Sequence, residues 1–145
     1  AGRVVRLALD PSADEDMDGL PNGWEQDHGL DPRLADGDDG ASGDPDGDRM
    51  TNREEFIAGT DPRDSSSALR MRVENIDPDH VLLSWSSVIG RRYQLQTGNS
   101  PFSLTNHPSE FFPRTAVSNR EFFLDSLTNP FAPGVARFYR LEVSP

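Results

Sequence analysis

The feature that most constrains this chain is a repeat of acidic residues. When the first 65 residues are shifted by 30 positions against themselves, Asp14, Asp16 and Asp18 fall on Asp44, Asp46 and Asp48. Asn22 falls on Asn52, and Glu25 on Glu55. Gly29, Asp31, Pro32 and Arg33 fall on Gly59, Asp61, Pro62 and Arg63. Unordered acidic sequence does not repeat itself in this way, so the carboxylates are placed.

The spacing within each unit has a chemical meaning. Asp14-x-Asp16-x-Asp18-Gly19, closed by Glu25, fits a twelve-residue calcium loop. Acids at positions 1, 3 and 5 converge on one centre as the backbone winds round it. Position 7 offers a backbone carbonyl, here that of Leu20, and position 9 offers Asn22, directly or through water. Position 12, Glu25, closes the shell with two oxygens. A hard cation seeking 6–8 oxygens explains why Asp, Asn and Glu recur and why His and Cys do not. The second unit supplies Asp44, Asp46, Asp48, the Met50 carbonyl, Asn52 and Glu55. It departs at position 6, where Arg49 stands in place of Gly. That position calls for positive φ, which costs a side chain about 1 kcal/mol or more. Two Ca2+ sites are expected. A third is left open, with Asp36, Asp38 and Asp39 joining Asp31, against the alternative that they sit in a polar linker.

Charge makes the same division. Residues 1–65 hold 18 acids and 6 Arg, whereas residues 66–145 hold 7 acids and 8 Arg. Only Trp24 and Phe56 of the 12 aromatic residues lie in the first part. An acidic segment with so little to bury stays disordered unless its charge is neutralised. Each loop runs into a short helix, about Asn22 to His28 and Asn52 to Ala58, which stops at Gly29 or Gly59. Helices of one or two turns are not stable alone. Metal binding and folding are therefore expected to be coupled in residues 11–65.

The run from Asp14 to Arg63, with DEDMDGLPNGWEQDHGLDP and DPDGDRMTNREEFIAGTDP, resembles the thrombospondin type 3 repeats of bacterial secreted proteins. The likeness covers about a third of the chain. It implies extracellular calcium-binding rods or spacers rather than catalysis, with the loop residues named above as the ligands. Dockerins also carry paired calcium loops, but theirs usually end in Asp and repeat at shorter spacing.

The second half reads as β. Val81, Leu83 and Trp85 alternate with polar or outward positions, as do Tyr93 and Leu95. Val135, Tyr139, Leu141 and Val143 share one parity, with Arg137 the exception. Ala68–Val73, Phe111–Val117 and Arg120–Leu124 are further strand candidates, and Gly90 and the loop around 129–134 supply breaks. The chain is thus expected to be mainly β. Residues 66–145 would form an antiparallel β-sandwich of immunoglobulin or fibronectin type III shape, preceded by a calcium-bound pair of loop–short-helix repeats. The segment from Leu83 onward is also similar to the small β domain that often follows such repeats at bacterial protein C-termini. Trp85 and Tyr139 are read as core residues.

Residues 1–10 contain one more strand candidate, Arg3–Leu9, with Val5, Leu7 and Leu9 on one face. It is expected to dock on its own β domain or on the sheet of a neighbouring subunit. A start at Ala1 suits a mature secreted product or an excerpt of a longer protein. Calcium supply favours an extracellular or cell-surface location in a bacterium.

Net charge of −11 makes nucleic acid and anionic membrane poor partners. No apolar run approaches the ~20 residues of a membrane span. With no Cys, thiol chemistry is excluded. His28, His80 and His107 sit in unrelated contexts, and no nucleophile elbow, phosphate loop or zinc signature is present. The expected function is non-catalytic: a calcium-stiffened subunit or stalk of a surface or filamentous assembly, with self-association or another extracellular protein as partner. The alternative is an accessory ligand- or carbohydrate-binding module of a larger secreted enzyme.

Overall fold

The computed structural model describes residues 8–127 and 136–145. Most of the candidate strand Arg3–Leu9 and the break around 129–134, with Val135, lie outside those residues. Ala8 to Asp10 carry no regular structure. The chain divides into two compact units. One comprises residues up to Phe56 together with Asp61–Ala68, and the other comprises Ile57–Thr60 with Leu69–Pro145.

The first unit is made of loops, the short helix α1 (Asn22–Asp27) and most of α2 (Asn52–Ala58), whose last two residues, Ile57 and Ala58, are counted with the second unit. Glycine ends α1 in the expected way. Gly29 takes φ +71, its N–H donates to the Gln26 carbonyl, and the Leu30 N–H donates to the Glu25 carbonyl. This pair of bonds uses carbonyls that the helix end would otherwise leave bare, and Leu30 is buried beside them. α2 is secured at its start instead. The Thr51 hydroxyl accepts from the Glu54 N–H, while Glu54 Oε2 accepts from the Thr51 N–H at 2.8 Å, a reciprocal cap. The apolar content is small. Leu20 is buried, and Trp24 stacks on His28 at 4.5 Å and meets the edge of Phe56 at 5.5 Å. Arginine does part of the joining: Arg63 donates to the carbonyls of His28 and Gly29, and Arg53 to that of Asp18.

The second unit is mainly β, and its sheets are antiparallel. Its strands are β1 (Met71–Asp77), β2 (His80–Ser86), β3 (Arg92–Gly98), β4 (Thr105–Asn106), β5 (Arg114–Thr115), β6 (Arg120–Ser126) and β7 (Phe138–Ser144). One sheet runs β1-β2-β6. In the other, β3 pairs with β7 along its length and with the short β4 and β5 at its two ends. The alternation in the sequence is the burial seen. Val81, Leu83 and Trp85 point inward from β2, and Tyr93 and Leu95 from β3, and all five are buried. Leu83, Trp85, Tyr93, Leu95, Phe112 and Ala116 form one core to which both sheets contribute. Aromatic rings pack edge-on around Phe112, which lies 4.9 Å from Phe111 and 5.0 Å from Phe123.

The expected strand Phe111–Val117 shrinks to Arg114–Thr115. Pro113 carries no N–H to give a ladder, and Phe111 and Phe112 enter the core from a turn.

Candidate metal centres

Each acidic loop is wound by its own aspartates. Asp14 accepts from the N–H groups of Met17 and Gly19, at 2.7 and 2.9 Å. Asp16 accepts from Asp18, and Asp18 from Leu20. The second loop repeats the pattern: Asp44 accepts from Gly47, Asp48 and Arg49, Asp46 from Asp48, and Asp48 from Met50. Side chains that bond their own backbone two to five residues on are what hold short acidic turns. The result is that one carboxylate oxygen from each of Asp14, Asp16 and Asp18 lies within 4.8 Å of the others, and likewise for Asp44, Asp46 and Asp48. Each trio is arranged so that it could hold a metal ion.

Both loops need left-handed backbone at two places, and each meets the need with one glycine. Loop one has Met17 at φ +64 and Gly19 at +94, whereas loop two has Gly47 at +76 and Arg49 at +83. The Arg49 departure is therefore offset by a glycine two residues earlier. The same conformational cost falls on Met17 in loop one, which the sequence did not signal.

The remaining candidate ligands are placed as follows. Glu25, Glu55, Asn22 and Asn52 are completely buried. Asn22 Oδ1 accepts from the Glu15 N–H, and its Nδ2 donates to the Asp10 carbonyl, so its amide braces the loop from within. Asn52 Nδ2 donates to the carbonyls of Asp38 and Gly40. Leu20 is buried, and Met50 is half-buried. Asp36 and Asp38 belong to neither trio, and no third group of three acids gathers among the described residues. Asp39, beside them, accepts from the Asp31 N–H and pairs with Arg63 at 3.8 Å.

The carboxylate of Glu25 tests whether a cation suits the first loop. Among the described residues no donor reaches either of its buried oxygens. Burial, and then the charges of Asp16, Asp18, Asp14 and Asp31, raise its pKa to about 7. Asp16 and Asp46 are also raised, chiefly by burial, and each keeps one buried oxygen without a donor. Buried acceptors are nearly always hydrogen-bonded, and an unpaired buried charge is costly. Oxygen-only donors with no internal counter-charge are the donor set of a hard cation. The residues present therefore fit such an ion.

A second polar cluster, in the β unit, was not visible in the sequence. Asp125 on β6 is buried and accepts from His107 Nε2 at 3.1 Å, Arg137 Nη1 at 2.9 Å and the Tyr139 hydroxyl at 2.6 Å. Ser109 N–H donates to the other ring nitrogen of His107, which fixes the proton on the nitrogen facing Asp125. Burial works against the Asp125 charge, but the His107 and Tyr139 hydrogen bonds and the Arg137 guanidinium outweigh it and hold its pKa below the usual value. Tyr139 is raised by burial and by the neighbouring carboxylate. Glu121, also buried on β6, pairs with Arg114 at 2.8 Å. These acids are satisfied by their own chain. The available signal was parity, since Glu121 and Asp125 fall on the inward positions of β6 and Arg137 on an apolar register.

No helix among the described residues is long and apolar enough to cross a membrane. No protein-family model, no curated protein and no solved structure matches the chain.

Proposed function

We propose that this chain is a non-catalytic, extracellular calcium-binding structural protein of bacterial origin. On this reading residues 11–65 are a pair of thrombospondin type 3-like repeats, each holding one Ca2+. Asp14, Asp16, Asp18 and Glu25 would hold the first ion, with the Leu20 carbonyl. Asp44, Asp46, Asp48 and Glu55 would hold the second, with the Met50 carbonyl. Asn22 and Asn52 serve beside them. The ions supply positive charge to the first part of the chain, where residues 1–65 carry a net −12 and have little apolar surface to fold on. Residues 66–145 are a β-sandwich of immunoglobulin or fibronectin type III type, a reading supported by the single core that both sheets share. The calcium-stiffened chain serves as a subunit or stalk of a surface or filamentous assembly.

The observation that carries the calcium reading is Glu25: a fully buried carboxylate with no donor among the described residues, beside a trio of aspartates. Isothermal titration with CaCl2 is expected to show two sites per chain. Electron microscopy in calcium is expected to show multimers that disperse in chelator. Fewer than two sites would overturn the ligand assignment, and monodisperse monomers in both conditions would overturn the assembly.

A further inference from the structure

Asp18, the acid at the fifth position of loop one, is held by the second repeat as well as by its own. Its Oδ1 accepts from the Leu20 N–H at 2.8 Å, within the loop. Its Oδ2 accepts from the Ala41 N–H at 2.5 Å, and its backbone carbonyl accepts from Arg53 Nη2 at 2.8 Å. Both of these donors belong to the frame of loop two. The Arg53 N–H donates to the Ala41 carbonyl at 3.0 Å, and Asn52 Nδ2 donates to the Gly40 carbonyl at 2.8 Å. Arg53 stands on α2 between Asn52 and Glu55, two of the candidate ligands of the second centre. Gly19 supplies its seat, since a β-carbon there would collide with the Arg53 guanidinium. The sixth position of loop two bears Arg49 instead, and the residues thirty places after Ala41 and Arg53 are Met71 and Leu83, on β1 and β2. Thirty places before them stand Pro11, which has no N–H, and Gly23, which has no side chain. This pair of donors therefore belongs to the second repeat alone and reaches onto the first.

We propose that Arg53 and the Ala41 N–H are positioning groups of the first metal centre, and that through them the two centres bind Ca2+ cooperatively. The inference rests on the calcium reading above and adds to it a coupling between its sites. Loop one gives up chain entropy before its acids converge. Once the second loop is ordered round its ion, Gly40, Ala41 and Arg53 are already in place, and part of that ordering cost has been met. An ion in either loop then raises the affinity of the other loop by the same factor, because coupling between binding sites is reciprocal. The sign is diagnostic. Two dications in loops that share nothing fill independently or hinder each other, since like charges repel.

Calcium titrations of the full chain, read by hydrogen exchange at the Leu20 amide of loop one, test this. Asp44→Asn together with Asp46→Asn disables the second centre and leaves every candidate ligand of the first in place. The calcium midpoint for protection of loop one is expected to rise by at least about fivefold, the lower end of typical coupling between sites. In an Arg53→Met background the same two substitutions should raise it by less than roughly half the factor seen in the parent, because much of the coupling is already gone. Reciprocity gives a measurement that needs no change at Arg53. Asp14→Asn with Asp16→Asn should raise the midpoint of loop two, read at the Glu55 amide, by the same factor. A midpoint in either loop that ignores the loss of the other centre would overturn the coupling, and an undiminished factor in Arg53→Met would overturn the role of that side chain. Calcium stoichiometry of the parent separates this inference from the reading it rests on: two bound ions with unmoved midpoints sink only the coupling, whereas no bound ion sinks the metal centres and the coupling with them.

Discussion

The two units bury acids in opposite ways. In the loop unit, Glu25 is wholly buried, has no donor among the described residues, and carries a pKa raised to about 7. In the β unit, Asp125 is as well buried but receives His107, Arg137 and Tyr139, and its pKa is lowered. Glu121 likewise has Arg114. A carboxylate taken out of water needs a counter-charge or donors. The β unit encodes its own on neighbouring strands. The loop unit has concentrated 14 Asp and 4 Glu in 65 residues and encodes too few cations to answer them. On the proposed reading its counter-charge comes from outside the chain, which would make its folding conditional where that of the β unit is not.

Removing the metal is the largest test of that contrast. In chelator, residues 11–65 are expected to lose their amide protection completely while the strands of the β unit keep theirs. Hydrogen exchange with and without EDTA reads both units at once. Equal protection in the two conditions would break the comparison.

The converse test acts on the β unit alone. Asp125→Ala leaves the buried Arg137 guanidinium without its carboxylate, and loss of one partner of such a pair costs about 3–5 kcal/mol. Urea unfolding of the β strands should shift by that amount, equally with and without calcium. The pH dependence has a definite sign. A carboxylate whose folded pKa lies below its unfolded one contributes stability above the unfolded value, and this is lost as pH falls through the folded value. Acid unfolding below the usual carboxylate range should therefore be less steep in Asp125→Ala than in the parent chain.

Glu25→Met sharpens the comparison through a change of sign. In calcium the variant should bind one ion fewer and lose stability in the loop unit. In chelator its loop unit should keep more amide protection than that of the parent, because two buried acceptors without donors have been replaced by an apolar chain. A destabilised variant under both conditions would mean that Glu25 is satisfied within the chain.

The sequence made one of these two kinds of site legible and hid the other. Asp14, Asp16 and Asp18 act within five consecutive residues, so the spacing carries the geometry. The Asp125 cluster is assembled from positions 18, 12 and 14 residues apart, and its existence depends on how β6 and β7 lie in the folded unit. Alternation located β2, β3 and β7 because one face of each is inward. It overstated the strand at Phe111–Val117, where two adjacent aromatics serve the core from a turn. Helix boundaries were readable from Gly29 and Gly59, since those glycines are where the backbone turns left-handed.

The smallest effect lies between the two loops themselves. Each needs positive φ at the fourth and sixth positions, and each has a glycine at only one of them: Gly19 in loop one, Gly47 in loop two. Met17 and Arg49 bear the strain at the other position, about 1–2 kcal/mol for an L side chain. Glycine would relieve it but would also loosen the unfolded chain by roughly 0.5–1 kcal/mol. Met17→Gly and Arg49→Gly should therefore each stabilise the calcium-loaded loop unit by only about 0.5–1 kcal/mol, seen as a small rise in its melting temperature. Met17 is 88% exposed, so its replacement removes little packing and isolates the backbone effect. The same gain from both variants would show that the two loops share one backbone design with the glycine exchanged between positions. A loss in Arg49→Gly alone would show that the arginine side chain contributes something at its loop that Met17 does not.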